Sequence, residues 1–445
     1  MDDWRNQEGK EVMKRIAFVG SGVVVGFVAA LTLFPAAHGA NDLGAYRQLD
    51  LFSDAFERVR ADYVRPVSDS ELVSDAIQGM VSSLDPHSAY MDAKAFTDMQ
   101  IQTQGQFGGV GIEVTMEDGL IKVISPIDDT PAAKAGIKTG DYIAGVDGNS
   151  VQGMSLDDAI DKMRGASGTK VTLTILRQGT KKPFDVTLTR AVVQVDSVKF
   201  HREGDIGYIR LAAFNERTAS GLENAVRQLK QQIGPNIKGY VLDMRNNPGG
   251  LLEQAIDVSD DFLNDGEVVS TRGRHPEDTQ HYDAKGGDIT DGKPVVVLIN
   301  AGTASASEIV AGALQDHHRA TIIGMTSFGK GSVQTIIPLG EGGGALRLTT
   351  ARYYTPSGHS IQAQGIIPDV AVAQGDETNL PKVAREAEAN LPGHLVPEEQ
   401  VKKLNQTIIR PPAGKKAGDF QLSYALDTLR GKVAISQADR TAKPE

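Results

Sequence analysis

Five consecutive apolar residues, Val295-Val-Val-Leu-Ile299, run directly into the small-residue stretch Asn300-Ala-Gly-Thr-Ala-Ser-Ala-Ser-Glu308, and this junction constrains the chain more than any other feature. The apolar run suits a buried strand, and Ile309, Val310, Ala313 and Leu314 recur at helical spacing just behind it. Ser305 therefore sits near a strand-to-helix junction, where free backbone N–H groups can serve a developing oxyanion. The alternation extends to both sides. Ile206 to Leu211, Tyr240 to Leu242 and Ala320 to Met325 read as strands, and Leu252, Ala255, Ile256, Ser259 and Leu263 recur on a helix after Gly250. From His201 onward the chain reads as an α/β core.

A serine hydroxyl is a poor nucleophile until a base takes its proton, and a lysine can be that base only if desolvation brings its pKa down from about 10.4 toward neutrality. Lys330 lies 330 − 305 = 25 residues beyond Ser305. That is room for the rest of a helix, a strand and a turn. The strings NAGTASASEIVAGALQD and Ser327-Phe-Gly-Lys-Gly-Ser-Val-Gln334 resemble the signature of the carboxyl-terminal processing peptidases, or tail-specific proteases, a serine peptidase family with a Ser-Lys dyad. The resemblance implies Ser305 as nucleophile, Lys330 as general base and Gln334 as the residue orienting the lysine. Leu242-Asp-Met-Arg-Asn-Asn-Pro-Gly-Gly250 is similar to the family's strand-turn-helix, whose glycine N–H shares the oxyanion hole. The donors implied here are Gly249 or Gly250, and Ala306. A third match runs from Tyr354-Thr-Pro-Ser-Gly-His-Ser360 to Gly365-Ile-Ile-Pro-Asp-Val370, so the likeness covers about Leu49 to Val370. It implies a crotonase-like catalytic core and an ATP-independent endopeptidase.

Competing readings of the same residues exist. Ser307 is a rival nucleophile, but once the helix has begun its side chain points elsewhere around the axis. Asp316-His317-His318 invites a Ser-His-Asp triad. However, it lies eleven to thirteen residues past Ser305, some 15 Å or more along a helix at about 1.5 Å per residue. Gly324 to Lys330 fits a phosphate-binding Gly-x-x-x-x-Gly-Lys, yet Gly331 stands where Ser or Thr must hold magnesium. His87, in Leu84-Asp-Pro-His-Ser88, resembles a structural turn of the family.

Between about Thr97 and Val192 the pattern changes to short strands and glycine turns, and it resembles a PDZ domain. Such a module takes a peptide's last residues as an added strand and captures the terminal carboxylate on backbone N–H groups. Gly109, Val110, Gly111 and Ile112 are the expected carboxylate loop, and Leu156, Ile160 and Met163, at helical spacing, the other wall of the groove. Arg164 ends that helix, where it can meet a carboxylate or a catalytic-domain partner.

The expected organisation is an N-terminal segment 1–40, a helical segment 41–96, a PDZ domain 97–192, a catalytic core 193–370 and a C-terminal helical segment 371–445. Lys14-Arg15, the apolar run Ile16 to Phe34 and Pro35-Ala-Ala-His-Gly-Ala40 read as a secretory signal, although the run is just long enough to remain as a membrane anchor. Met13-Lys-Arg offers an alternative start. Two basic residues before the run place the remainder across the membrane, in the periplasm or cell envelope, with membrane contact only through residues 16–34 if uncleaved. Leu380 to Ala389 and Phe420 to Leu429 read as amphipathic helices suited to self-association, and Gln437 to Glu445 as disordered. The chain has no cysteine, and its nine histidines show no metal-ligand spacing, so no cofactor and no metal are expected. A net charge of −11 without a basic stripe argues against nucleic acid. The expected partners are protein substrates with apolar C-terminal tails, a possible adaptor and a second copy of the chain. Alternatives are a non-catalytic ligand-binding protein, or a PDZ adaptor, on the same fold.

Overall fold

The computed structural model describes residues 39–117, 119–127, 129–180, 182–340, 342–375, 387–398, 406–412 and 418–433. The expected signal run 16–34 and the tail 437–445 lie outside them. Among the described residues no helix is long and apolar enough to cross a membrane. The chain divides into two compact units, one ending at Ala76 and one beginning at Ile77. The first is helical, led by Gly39–Asp62, on which Leu49, Leu51, Phe52 and Val59 are exposed.

In the second unit, a six-stranded sheet runs in the order Val198–Glu203, Ile206–Leu211, Gly239–Asp243, Val295–Ile299, Ala320–Gly324, Val370–Ala371. Its first pair is antiparallel and every later pair parallel. Gly239–Asp243 and Val295–Ile299 are buried at each position. A parallel strand covered on both faces cannot alternate polar and apolar residues, which is why Val295 to Ile299 is a continuous apolar run. One face packs against the helices Thr218–Ile233, Leu252–Asp260 and Ala306–Asp316, through Leu222, Leu229, Val258, Ile309 and Leu314. Helix Phe420–Leu429 covers the other face, with Ala425 fully buried against Val241, Val296 and Ile323. The apolar stripe expected to serve self-association is therefore used on the chain's own sheet.

A second sheet joins Ala89–Met91, Ala345–Tyr354, Glu267–Arg272 and Gln280–Asp283, with Ser332–Pro338 paired to Ala345–Tyr354. The N-terminal helical reading is thus interrupted by a strand whose partner lies some 250 residues away. Residues 112–189 form a separate small sheet with its own core of Ile121, Val123, Ile143, Leu173 and Ile175. Helix Ala93–Gln104 leads into it across the expected boundary at 96/97. Strand Gln106–Gly109 pairs with Ala191–Gln194, so the domain leaves and returns to the core through adjacent strands.

Candidate active site

Parallel strands deliver the loops at their C-terminal ends to a common edge. Gly239–Asp243 leads into Arg245 to Gly250, and Val295–Ile299 into Asn300 to Ser305. Buried Asn247 staples the two loops. Its backbone oxygen accepts from Ala304 N at 2.9 Å, its Nδ2 donates to Leu211 O at 2.9 Å, and its Oδ1 accepts from Gly249 N at 2.9 Å. Thr303 Oγ1 adds a bond to Met244 O at 2.8 Å.

Ser305 occupies φ 57°, ψ −117°, a conformation that costs an L residue strain and that places a side chain at the tip of a sharp strand-to-helix turn. The helix begins at Ala306, so the Ala306 N–H is among the first-turn donors without an intrahelical acceptor. Gly249 lies directly against this turn. A Cβ there would come within 2.8 Å of Ala304 O and Ser305 Cβ and 2.9 Å of Ala306 N, so only glycine lets the two loops meet. Because Gly249 N–H is committed to Asn247, Gly250 is the glycine of the pair whose N–H no described hydrogen bond uses. Gly250, at φ 147°, is fixed by a parallel bridge to Phe214. The rival Ser307 is fully buried, with its Oγ donating to Asn247 O at 3.1 Å.

One side chain that the motif reading passed over joins the two halves of the site. Glu308, fully buried, accepts from Ser305 N at 2.8 Å and Lys330 N at 2.9 Å on Oε2, and from Gly329 N at 2.7 Å and Ser327 Oγ on Oε1. A single carboxylate thus fixes the backbone of the expected nucleophile to that of the expected base. Burial pushes its pKa up to about 7, against the pull of the four donors. The available signal was a carboxylate at an otherwise apolar helix position, which must be satisfied from elsewhere in the fold.

Lys330 is part-buried, and burial lowers its pKa, assisted by the positive charge of Arg347 and opposed by Glu388, Glu308 and Asp85. Gln334 follows a bulge in Ser332–Pro338. Its Nε2 donates to Ser332 Oγ at 2.9 Å and Thr349 Oγ1 at 3.2 Å, and Thr349 Oγ1 donates onward to Asp85 Oδ1 at 3.0 Å. The carboxamide nitrogen is thereby anchored on hydroxyls. Asp316 accepts from Ser357 N at 2.9 Å, and His317 Nε2 meets Glu267 O at 2.7 Å, so that cluster secures a helix end away from Ser305.

In the smaller domain the carbonyls of Val110 and Gly111 accept from Ala132 N at 2.9 Å and Ile127 N at 3.0 Å. At φ 79°, Gly111 packs so closely on Thr130 that a Cβ would lie 2.3 Å from its Cβ. Gly109 closes strand Gln106–Gly109 and Ile112 opens Ile112–Glu117. On helix Leu156–Met163, Met163 is buried in the domain core, whereas Leu156 and Ile160 pack against that core only in part. Arg164, just beyond, pairs with Asp98 at 3.3 Å and lies 5.1 Å from the Phe107 ring centre. Among the described residues no group of histidines and carboxylates is arranged to hold a metal.

The model of peptidase family S41 matches residues 205–372, that of a PDZ domain residues 108–188, and that of the activating protease CtpB N-terminal domain residues 35–95. The chain is 52% identical over 430 residues to a carboxy-terminal-processing protease of Bartonella bacilliformis, covering 95% of this chain and 97% of that one. To the carboxyl-terminal-processing protease of Synechocystis it is 39% identical, covering 71% and 75%, and to CtpA of Bacillus subtilis 38%, covering 75% and 71%. Among solved structures, the photosystem II D1 C-terminal processing protease is 34% identical, covering 70% of this chain and 84% of that one, with a TM-score of 0.42.

Proposed function

The chain belongs to the carboxy-terminal processing serine proteases of peptidase family S41 and carries their PDZ domain, and on that premise we propose that Ser305 and Lys330 perform the cleavage as nucleophile and base. The observation that carries this reading is the Glu308 carboxylate shared between Ser305 N and Lys330 N. Neutral Lys330 takes the Ser305 Oγ proton as Oγ adds to the scissile carbonyl carbon. The resulting oxyanion is received by the N–H groups of Ala306 and Gly250. Collapse breaks the C–N bond, the leaving amine takes the proton from Lys330, and an acyl-enzyme ester remains. A water deprotonated by Lys330 then releases the acid and restores Ser305. With Gln334 Nε2 anchored on hydroxyls, its Oε1 is the atom able to accept from the lysine. The N-terminal charge and hydropathy pattern supports an exported enzyme of the cell envelope.

The test is the pH profile of kcat/KM on an unfolded protein substrate. Activity is expected to rise along a limb whose midpoint lies well below the ordinary lysine value of about 10.4, because burial disfavours the ammonium. Gln334→Glu should move this limb to higher pH, since it adds a negative charge near the base and sets two carboxylates on the Thr349 hydroxyl. An unmoved limb removes Gln334 from the site.

Substrate tails are proposed to enter the smaller domain, with the loop Gly109 to Ile112 taking the terminal carboxylate and Leu156 and Ile160 lining the groove. Amidating a substrate's C-terminus is then expected to slow its cleavage, most for apolar tails. Equal initial rates for acid and amide would remove the domain from substrate selection.

A further inference from the structure

The base is gripped from a second side by a part of the chain beyond the catalytic-family segment. The loop Phe328 to Gly331 carries Lys330, and its first carbonyl, Phe328 O, accepts from Glu388 N at 2.9 Å. At its other end, Gly331 N donates to Gln362 Oε1 at 3.1 Å, and Gln362 Nε2 donates to Glu388 Oε1 at 3.0 Å. Glu388 Oε2 is 2.8 Å from His87 Nε2. The Glu388 side chain is 1% exposed, so this carboxylate is fully committed inside the protein.

Residues 387–398 form a strap over the second sheet. Gln362 Nε2 also reaches Leu395 O at 3.2 Å, Arg352 Nη1 reaches Val396 O at 2.9 Å, and Tyr354 Oη donates to Glu398 Oε2 at 2.7 Å. Gly331 leaves the loop no slack, since a Cβ there would lie 2.2 Å from Gln362 N. Glu308 thus holds the loop from the nucleophile's helix, and the strap holds it from the opposite end of the sequence.

We propose that Glu388, carried in by the C-terminal strap, is a positioning residue for Lys330, so that the S41 segment 205–372 lacks a correctly held base until residues 387–398 dock. This inference rests on the Ser305–Lys330 reading. The charged groups acting most strongly on Lys330 are Arg347, Glu388, Glu308 and Asp85. His87 connects three of them, Arg347, Asp85 and Glu388: its carbonyl accepts from Arg347 Nε at 2.9 Å, its N–H donates to Asp85 Oδ1 at 2.9 Å, and its Nε2 meets Glu388 Oε2. Glu388 therefore acts in two separable ways, by hydrogen bonds that place the loop and by a negative charge that favours the protonated lysine.

The two actions are separated by two variants of the full-length protein, assayed on an unfolded protein with a free C-terminus. Glu388→Ala loses both and is expected to lower kcat by roughly tenfold or more, with KM within about twofold, as misplacement of a catalytic group does. Glu388→Gln keeps an oxygen for Gln362 and offers His87 an amide, so kcat at the plateau stays within about threefold while the acid limb of the profile moves to lower pH. Lys330→Ala is run alongside. If that variant is active, the dyad reading itself fails. If it is dead while Glu388→Ala has wild-type kcat, or Glu388→Gln leaves the limb in place, the role of Glu388 alone is overturned. Should Glu388→Ala not fold, the limb of Glu388→Gln decides.

Discussion

Ser305→Ala is expected to lower kcat/KM by about four orders of magnitude or more while leaving the thermal midpoint close to wild type. The separation follows from the geometry. What Ser305 contributes to the fold is its backbone, through the N–H given to Glu308, and alanine keeps that bond and the same turn. What it is proposed to contribute to the reaction is Oγ alone. Lys330→Ala should behave alike, because its own bond to Glu308 is also made by the main chain. Ser307→Ala is the matched control. It removes a buried hydroxyl bonded to Asn247 O, a loss of about 1 kcal/mol of stability, and leaves cleavage largely intact. Comparing kcat/KM and melting curves of the three variants checks the assignment, and an inactive Ser307→Ala beside an active Ser305→Ala would reverse it.

The second large effect is expected at Glu308, where activity and stability fall together. Glu308→Ala leaves the buried N–H groups of Ser305 and Gly329, the part-buried N–H of Lys330 and the Ser327 hydroxyl without their acceptor. At about 1–3 kcal/mol for each unsatisfied buried donor, the loss is about 4 kcal/mol or more, enough to lower the thermal midpoint by on the order of 10 °C. Each carboxylate oxygen serves two donors, so either orientation of the amide in Glu308→Gln sets an NH2 against at least one backbone N–H. Both variants should therefore be inactive and both less stable, as urea or thermal unfolding would measure. A stable, inactive Glu308→Gln would instead assign Glu308 a chemical rather than an architectural part.

Features whose cause lies within a few residues were legible in the sequence. The apolar run Val295 to Ile299, the helix after Ser305 and the helix Phe420 to Leu429 all stand where periodicity put them. What the sequence could not show is where a long-range partner overrides the local pattern. Ala89–Met91 is a strand inside a helical stretch because the edge of Ala345–Tyr354 pairs with it. Met163 matches the spacing of Leu156 and Ile160 yet lies in the domain core, since three residues at helical spacing still span an arc of the helix surface. Around Leu380 to Ala389 the described part, from 387, is a bend and the short 3₁₀ turn Glu388–Asn390, with Glu388 drawn inward by Phe328 and Gln362. The expected helix over 380–386 lies outside the described residues. Glu308 and Glu388 escaped notice for one shared reason: their worth depends on donors brought from 21 or 301 residues away.

That last separation has a bearing on how the enzyme is made. A protease that cuts unfolded polypeptides must avoid cutting sister chains that have not yet folded. Here the contact between His87 and Glu388 closes a loop of 301 residues. Contacts of such span close late, because the loop entropy must be overcome before they are rewarded. On the proposed role of Glu388, the base is caged only once this 301-residue loop has closed, and activity waits on folding.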